Sequence, residues 1–280
     1  MKENATTYLS PKGSKIQFQI YNPGATSIFA VSSTLIVGKS EVVLIDAQFQ
    51  NNDAQELVKL IKATGKKLTS VYISYGEPQF YFGTEAIIRE FPDCNVLATK
   101  DTVRRIKRTK DAKLSHWTPL LRHHAPRKIY MPDQLKSKFL TVDSTRVEIA
   151  GPHSDRTYCW LPSLKTVLGG LVVFGTNMHL WLADNHSPES RYRWYEILTS
   201  IEQLKPEMVV PSHFYPGAPL NLDSVQFSKE YLSAVETELE ISRNSGEFTA
   251  AMKNRYPDLL NELNLEMSAK VLKNEMKLPT

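Results

Sequence analysis

Short apolar runs rich in β-branched residues alternate along this chain with stretches in which apolar residues recur at helical spacing. Lys15 to Tyr21 and Ser27 to Val37 read as strands. Glu41-Val42-Val43-Leu44-Ile45-Asp46 is a buried strand that ends in a carboxylate. Leu57, Leu60 and Ile61 give one apolar face to a helix over Asp53 to Thr64, with Gly65 as its C-cap. Leu68 to Ser74 is another buried strand and leads into the loop Tyr75 to Phe80. Gly83 to Glu90 reads as helix and Asn95 to Thr99 as strand. Asp101 is the expected N-cap of a helix ending near Ser115.

Pro119, Pro126 and Pro132 break the pattern up to Leu135, leaving loop with one short strand, Lys128 to Met131. Strands are expected at Phe139–Val142, Arg146–Ile149, Thr157–Leu161 and Thr166–Phe174, then a helix over Ser190 to Leu204. Met208-Val209-Val210 is a buried strand running into Pro211-Ser212-His213. From Asp223 the pattern is helical to the end, with one break at Pro257. No repeat and no low-complexity linker divides the chain. The alternation predicts an α/β protein with helices covering a sheet core. Residues 1–222 form the expected α/β domain, and 223–280 a helical C-terminal extension packed on it.

Composition narrows the class. Of 280 residues, 41% are hydrophobic and 23% charged, as in ordinary globular proteins rather than disordered chains. Cys94 and Cys159 both lie in apolar runs, where free buried thiols serve as small hydrophobes. The first residues lack the apolar segment of a secretory signal, and no run approaches the ~20 apolar residues of a membrane helix. The expectation is a cytoplasmic protein with no membrane partner. The net charge is +4, and much of the excess falls between Lys100 and Lys128. That stretch is a candidate anion or nucleic-acid surface. It lacks the interleaved aromatics of a base-stacking platform, which argues for a solvated helix face instead.

The order of landmarks carries the functional signal. Asp46 ends one strand; Ser74-Tyr75-Gly76-Glu77-Pro78-Gln79-Phe80-Tyr81-Phe82-Gly83 follows another; Gly151-Pro152-His153, Gly169-Gly170-Leu171 and Pro211-Ser212-His213 come later. From about Thr26 to Pro216 this succession resembles the metallo-β-lactamase superfamily. The resemblance implies a four-layer αββα sandwich. It also implies a site where H-x-H-x-D-H, G-H, G-D and G-H motifs grip one or two metals, usually zinc. Such a site activates water at an open coordination position. The Ser74–Gly83 segment is similar to that of a bacterial branch of metallo-hydrolase-like proteins with a shortened ligand set, as are His179-Leu180-Trp181-Leu182-Ala183-Asp184 and the helical C-terminus around Leu265.

Transferred residue by residue, the motif is largely lost. The three loop histidines fall on Tyr75, Glu77 and Phe80, and the loop aspartate on Gln79. The bridging aspartate falls on Leu171, while His153 and His213 keep a histidine. Phenyl and isobutyl groups cannot ligate metal. His153 and His213 are therefore the candidate metal donors, with Glu77, His179 and Asp184 as possible additions and Glu77 a candidate general acid or base. Asp46 is expected to brace the loop as a hydrogen-bond acceptor. Tyr75, Gln79, Phe80 and Leu171 should line the cleft. His123 and His124 are adjacent, point opposite ways in extended chain and cannot chelate together. No G-x-S-x-G elbow or phosphate loop is present.

These residues predict a pseudoenzyme or ligand-binding protein with a degraded metal site. No tightly bound cofactor is expected, at most one weakly held divalent ion such as zinc, and the partner would be a small or anionic molecule. One alternative is a mononuclear hydrolase of an ester, lactone or phosphoester built on His153, His213 and one further donor. The other is anion or nucleic-acid binding through residues 100–128.

Overall fold

The computed structural model describes residues 6–277. Its strands form two sheets. The first runs β1(Thr6–Leu9), β2(Gln17–Tyr21), β3(Ser33–Val37), β4(Glu41–Ile45), β5(Lys67–Ile73), β6(Asn95–Ala98), β7(Asp133–Gln134), in sequence order. It is antiparallel from β1 to β4 and parallel from β4 to β7. The second has the order β12(Met208–Val209), β11(Thr166–Leu168), β10(Arg156–Leu161), β9(Thr145–His153), β8(Phe139–Val142).

Strand periodicity explains how the layers stack. Side chains alternate between faces, so Val43 and Ile45 of β4 join Cys159 and Leu161 of β10 in a core between the sheets. Their neighbours Val42, Leu44, Tyr158 and Trp160 belong to the core under the helices. On the outer faces lie α1(Asn51–Thr64), α2(Pro78–Tyr81), α3(Thr84–Glu90), α4(Lys100–Leu121), α5(Pro188–Gln203) and α6(Asp223–Ile241). The expected αββα sandwich is the architecture of the chain.

Helix α1 ends at Gly65, whose φ of 64° fits the left-handed C-cap. Several boundaries depart from the sequence expectation. Thr99, not Asp101, caps α4: its Oγ1 accepts from the Thr102 N–H at 3.2 Å, and Asp101 lies in the first turn. The helix runs on to Leu121, because Pro119 in its last turn removes only one backbone donor. The strand placed at 128–131 is instead β7, just after Pro132. Only the end of the Ser27–Val37 run is strand: Ser27 Oγ and the Ile28 N–H both donate to Gln50 Oε1 at 2.9 Å, outside any ladder. The loop from Tyr75 holds the short helix α2.

Strand β11 stops at Leu168 instead of continuing to Phe174. Gly169 and Gly170 take φ of 70° and 76°, and a Cβ on Gly170 would lie 2.1 Å from the Thr157 carbonyl. The C-terminal helices break twice, not once. Asn244 caps α7(Ser245–Arg255) by accepting from the Glu247 N–H at 2.9 Å, and α8(Glu262–Leu272) follows. Tyr231, Phe248 and Leu265 of these helices share one core with Trp194 and Phe174. No helix of the described residues is long and apolar enough to cross a membrane.

Candidate functional site

The loops that carry the motif positions are tied together by one buried relay. Asp46, at φ 63°, accepts from the Ser74 N–H at 2.8 Å and the Ser74 hydroxyl at 2.6 Å. Ser74 Oγ in turn accepts from the Gly170 N–H at 2.8 Å. Burial outweighs these hydrogen bonds and pushes the Asp46 carboxyl up to about 7. Next to the relay, the Ala47 N–H donates to the Phe80 carbonyl at 2.7 Å. Gly83 sits so close that a Cβ there would lie 1.9 Å from the Ala47 carbonyl.

On one side of this relay the motif positions are packed shut. Phe80 and Leu171 are buried to 0% and 1% exposure. The His213 ring stacks on Phe174 at 5.1 Å between centroids, with Phe80 edge-on at 5.9 Å. Its Nδ1 lies 3.1 Å from Ser212 Oγ, and burial pushes the imidazole down to about 3. His213 is thus an apolar-packed neutral ring. His179 is also structural. Its Nδ1 lies 2.9 Å from the Tyr231 hydroxyl, its carbonyl accepts from Asn264 Nδ2 at 3.2 Å, and burial lowers its pKa to about 4.

On the other side lies an open, charged cleft of about 120 Å³, walled by Tyr75, Arg105, His153, Arg156, Asp184, Asn185 and the first turns of α5. His213 is not among its walls. His153 Nε2 lies 3.0 Å from Glu196 Oε2. Asp184 accepts from the Trp181 indole at 2.8 Å, and burial raises its carboxyl. Tyr75 stands edge-on to Phe80 and under the Arg105 guanidinium, 5.2 Å from its ring centre. Gln79 is buried on α2 behind this wall.

Glu77 does not offer a free carboxylate. It is 7% exposed; Oε1 accepts from Arg105 Nε at 2.9 Å and from Arg105 Nη2, and Oε2 accepts from Lys113 Nζ. Among the described residues no group of three or more His, Cys, Asp or Glu side chains is placed to hold a metal ion. Glu77 bonds to two cations, His179 to a tyrosine hydroxyl and Asp184 to an indole, and the structure does not bring them together with His153 and His213 as one donor set.

Sequence reasoning did not single out Lys113, which pairs with Glu77, or the cleft arginines Arg156 and Arg193. Thr102, Ile106, Thr109 and Lys113 are the buried stripe of α4. Lys113 occupies a position where helical spacing calls for an apolar residue, a signal that a buried acid faces it. Arg156 opens β10, a strand buried at every position. Its Nε donates to the Leu171 carbonyl at 2.8 Å, and Nη1 to Asn185 Oδ1 at 2.6 Å. Arg193 pairs with Asp155 at 2.7 Å on the rim. Both cysteines are free and buried.

No family model and no curated protein matches this sequence. Solved structures do match its fold. A metallo-β-lactamase from Pontibacter korlensis shares 17% identity at a TM-score of 0.59, covering 81% of this chain and 99% of its own. The DIM-1 metallo-β-lactamase shares 16% at 0.58, over 81% of this chain and 97% of its own. The metallo-β-lactamase FIM-1 from Pseudomonas aeruginosa, in its mono-zinc form, shares 11% at 0.58, over 83% and 97%. The chain has the metallo-β-lactamase fold.

Proposed function

We propose that this protein is a pseudoenzyme on the metallo-β-lactamase scaffold, which has exchanged the dinuclear hydrolytic centre for a metal-free cleft that binds a small anionic molecule. Zinc sites require three or four nitrogen, sulfur or oxygen donors in fixed geometry. Here two of the matching positions carry Phe80 and Leu171, which have no lone pairs to give, and a third carries Glu77. The observation that carries the reading is the Glu77–Arg105–Lys113 cluster. Two protein cations already neutralise the one carboxylate that the second motif retains, and a metal would have to displace both. His213 is packed among rings, so the donors suit neither two ions nor one.

The remaining half of the site is polar and concave. Its charged walls are Arg105, Arg156, Arg193, Asp155 and Asp184, with His153 beside them. Such a surface recognises a small charged molecule without transforming it. The test is elemental analysis together with zinc titration of purified full-length protein. Metal content well below one equivalent and no hydrolysis of esters, lactones or phosphoesters after zinc addition are expected. One equivalent of tightly held zinc, iron or manganese, or zinc-dependent turnover lost on His213→Ala, overturns the reading.

A further inference from the structure

We infer that the cleft beside Arg156 is a phosphate site, taking a phosphate monoester or inorganic phosphate through Arg156, Tyr75 and Arg105. The inference rests on the metal-free reading of the same cleft and names what fills it. Arg156 is 7% exposed and lines the cleft, yet no carboxylate bonds to it. Its polar partners are a carbonyl and an amide oxygen, its flat face lies over Trp194 at 4.2 Å, and its Nη2, buried from solvent, has no hydrogen-bond partner among the described residues. A buried cation left without an anion is costly. A ligand anion is the partner that this arrangement lacks.

Charge and shape favour phosphate over a carboxylate. Arg105, Lys113 and Arg156 are three cations, and Glu77 is the one carboxylate that hydrogen-bonds to any of them. Arg193 and Asp155 neutralise each other. Asp184 acts on Arg105 and Arg156 only through space; it accepts from the Trp181 indole and bonds to neither guanidinium, and burial raises its carboxyl. The surplus of cations suits an anion. Donors approach from separate walls: Arg156 on β10, Tyr75 after β5 and Arg105 on α4, and the first turn of α5, whose helix end favours negative charge, lines the cleft beside them. A planar carboxylate is best held by one guanidinium fork. Arg156 already spends Nε and Nη1 on protein acceptors. A volume of about 120 Å³ admits one such group and leaves the remainder of a larger molecule outside.

Calorimetric titration of the EDTA-treated full chain tests this, with inorganic phosphate, glycerol phosphate, acetate and chloride at equal ionic strength. Phosphate or its monoester should bind saturably with a dissociation constant below about 1 mM, and acetate and chloride at least tenfold more weakly. Tighter binding of the monoester identifies an esterified ligand, and equal binding identifies free phosphate; either supports the site. Arg156→Gln should abolish binding, and Tyr75→Phe, which removes only a hydroxyl, should weaken it several-fold in a protein of unchanged melting behaviour. Acetate binding as well as phosphate, or phosphate binding undiminished in Tyr75→Phe and Arg156→Gln, overturns the assignment. A metal-free protein that ignores phosphate overturns it too but leaves the pseudoenzyme reading standing. Phosphate binding that appears only after zinc is added overturns both.

Discussion

The two halves of the site differ in packing and in charge. In the half around His213, the motif positions are core: Phe80, Leu171 and Phe174 fill the space, and the histidine is a buried neutral ring. In the half around His153, the side chains face a cleft whose charged walls are arginines and aspartates. Glu77 stands at the seam, turned away from the apolar half and toward α4. A divalent ion can hold several loops at one point. Here the same loops are held by the Asp46–Ser74–Gly170 relay and the Glu77 ion cluster. The lesson is that side-chain bonds alone can crosslink these loops at one point.

Reintroducing the bridging carboxylate is the harshest test of the packed half. Leu171→Asp places an acid in the buried core of the packed half and also forfeits a buried leucyl contact. It should destabilise the fold by about 4 kcal/mol or more, seen as a lower urea midpoint. Zinc should not restore the loss. A variant that folds normally and gains zinc would mean that the packed half is still a metal site.

Next in size is the seam. Glu77→Gln leaves Arg105 and Lys113 facing a neutral amide, and breaking a buried charge pair by removing one partner costs about 3 kcal/mol. Glu77 and Lys113 are both below 9% exposed, so solvent screens the loss little. Arg105 is more open and softens it. Double-mutant cycles pairing Glu77→Gln with Lys113→Met measure the coupling directly. A coupling near zero would remove the cluster from its crosslinking role.

The sheet layers were readable from the sequence because strand alternation and short apolar runs state which face is buried. Val42 to Ile45 and Tyr158 to Leu161 serve opposite cores residue by residue. That Phe80 and Leu171 offer a metal no lone pairs was equally readable, since it holds in any conformation. The Glu77 ion cluster was not. Arg105 and Lys113 sit among other basic residues of α4, and only tertiary packing distinguishes the two that turn inward from those that face water. The Thr166–Phe174 run failed for a different reason: its apolar character persists past Gly169 and Gly170, where the backbone has already left the sheet.

Acid separates the packed half from the open one by its pH profile. His213 and His179 are neutral when folded, with pKa values pushed down to about 3 and about 4. A depressed histidine contributes stability that is present above its unfolded pKa near 6.5 and lost as pH falls toward the folded value. Asp46, raised to about 7, acts with the opposite sign. It takes up its proton when folded before it does when unfolded, so it gains stability as pH falls from 7 toward 4. Each group contributes a slope of about 1.4 kcal/mol per pH unit within its window. Two histidines against one aspartate leave a net loss of about one such slope between pH 6 and 5. His213→Phe should flatten the profile, and an unchanged slope would refute the buried neutral ring.

The smallest change should come from the open half. His153 is 22% exposed at its side chain and meets a Glu196 that is 42% exposed, so their contact lies in screened surroundings. Surface pairs of this kind are worth about 0–1 kcal/mol. His153→Ala should therefore shift the urea midpoint very little, while His213→Ala, which opens a hole between Phe174 and Phe80, should cost about 2 kcal/mol or more. The two motif histidines would then differ in kind: one a filler of the core, the other a cleft side chain free to meet a ligand. Equal losses at both positions would mean that the division between packed and open halves does not describe this site.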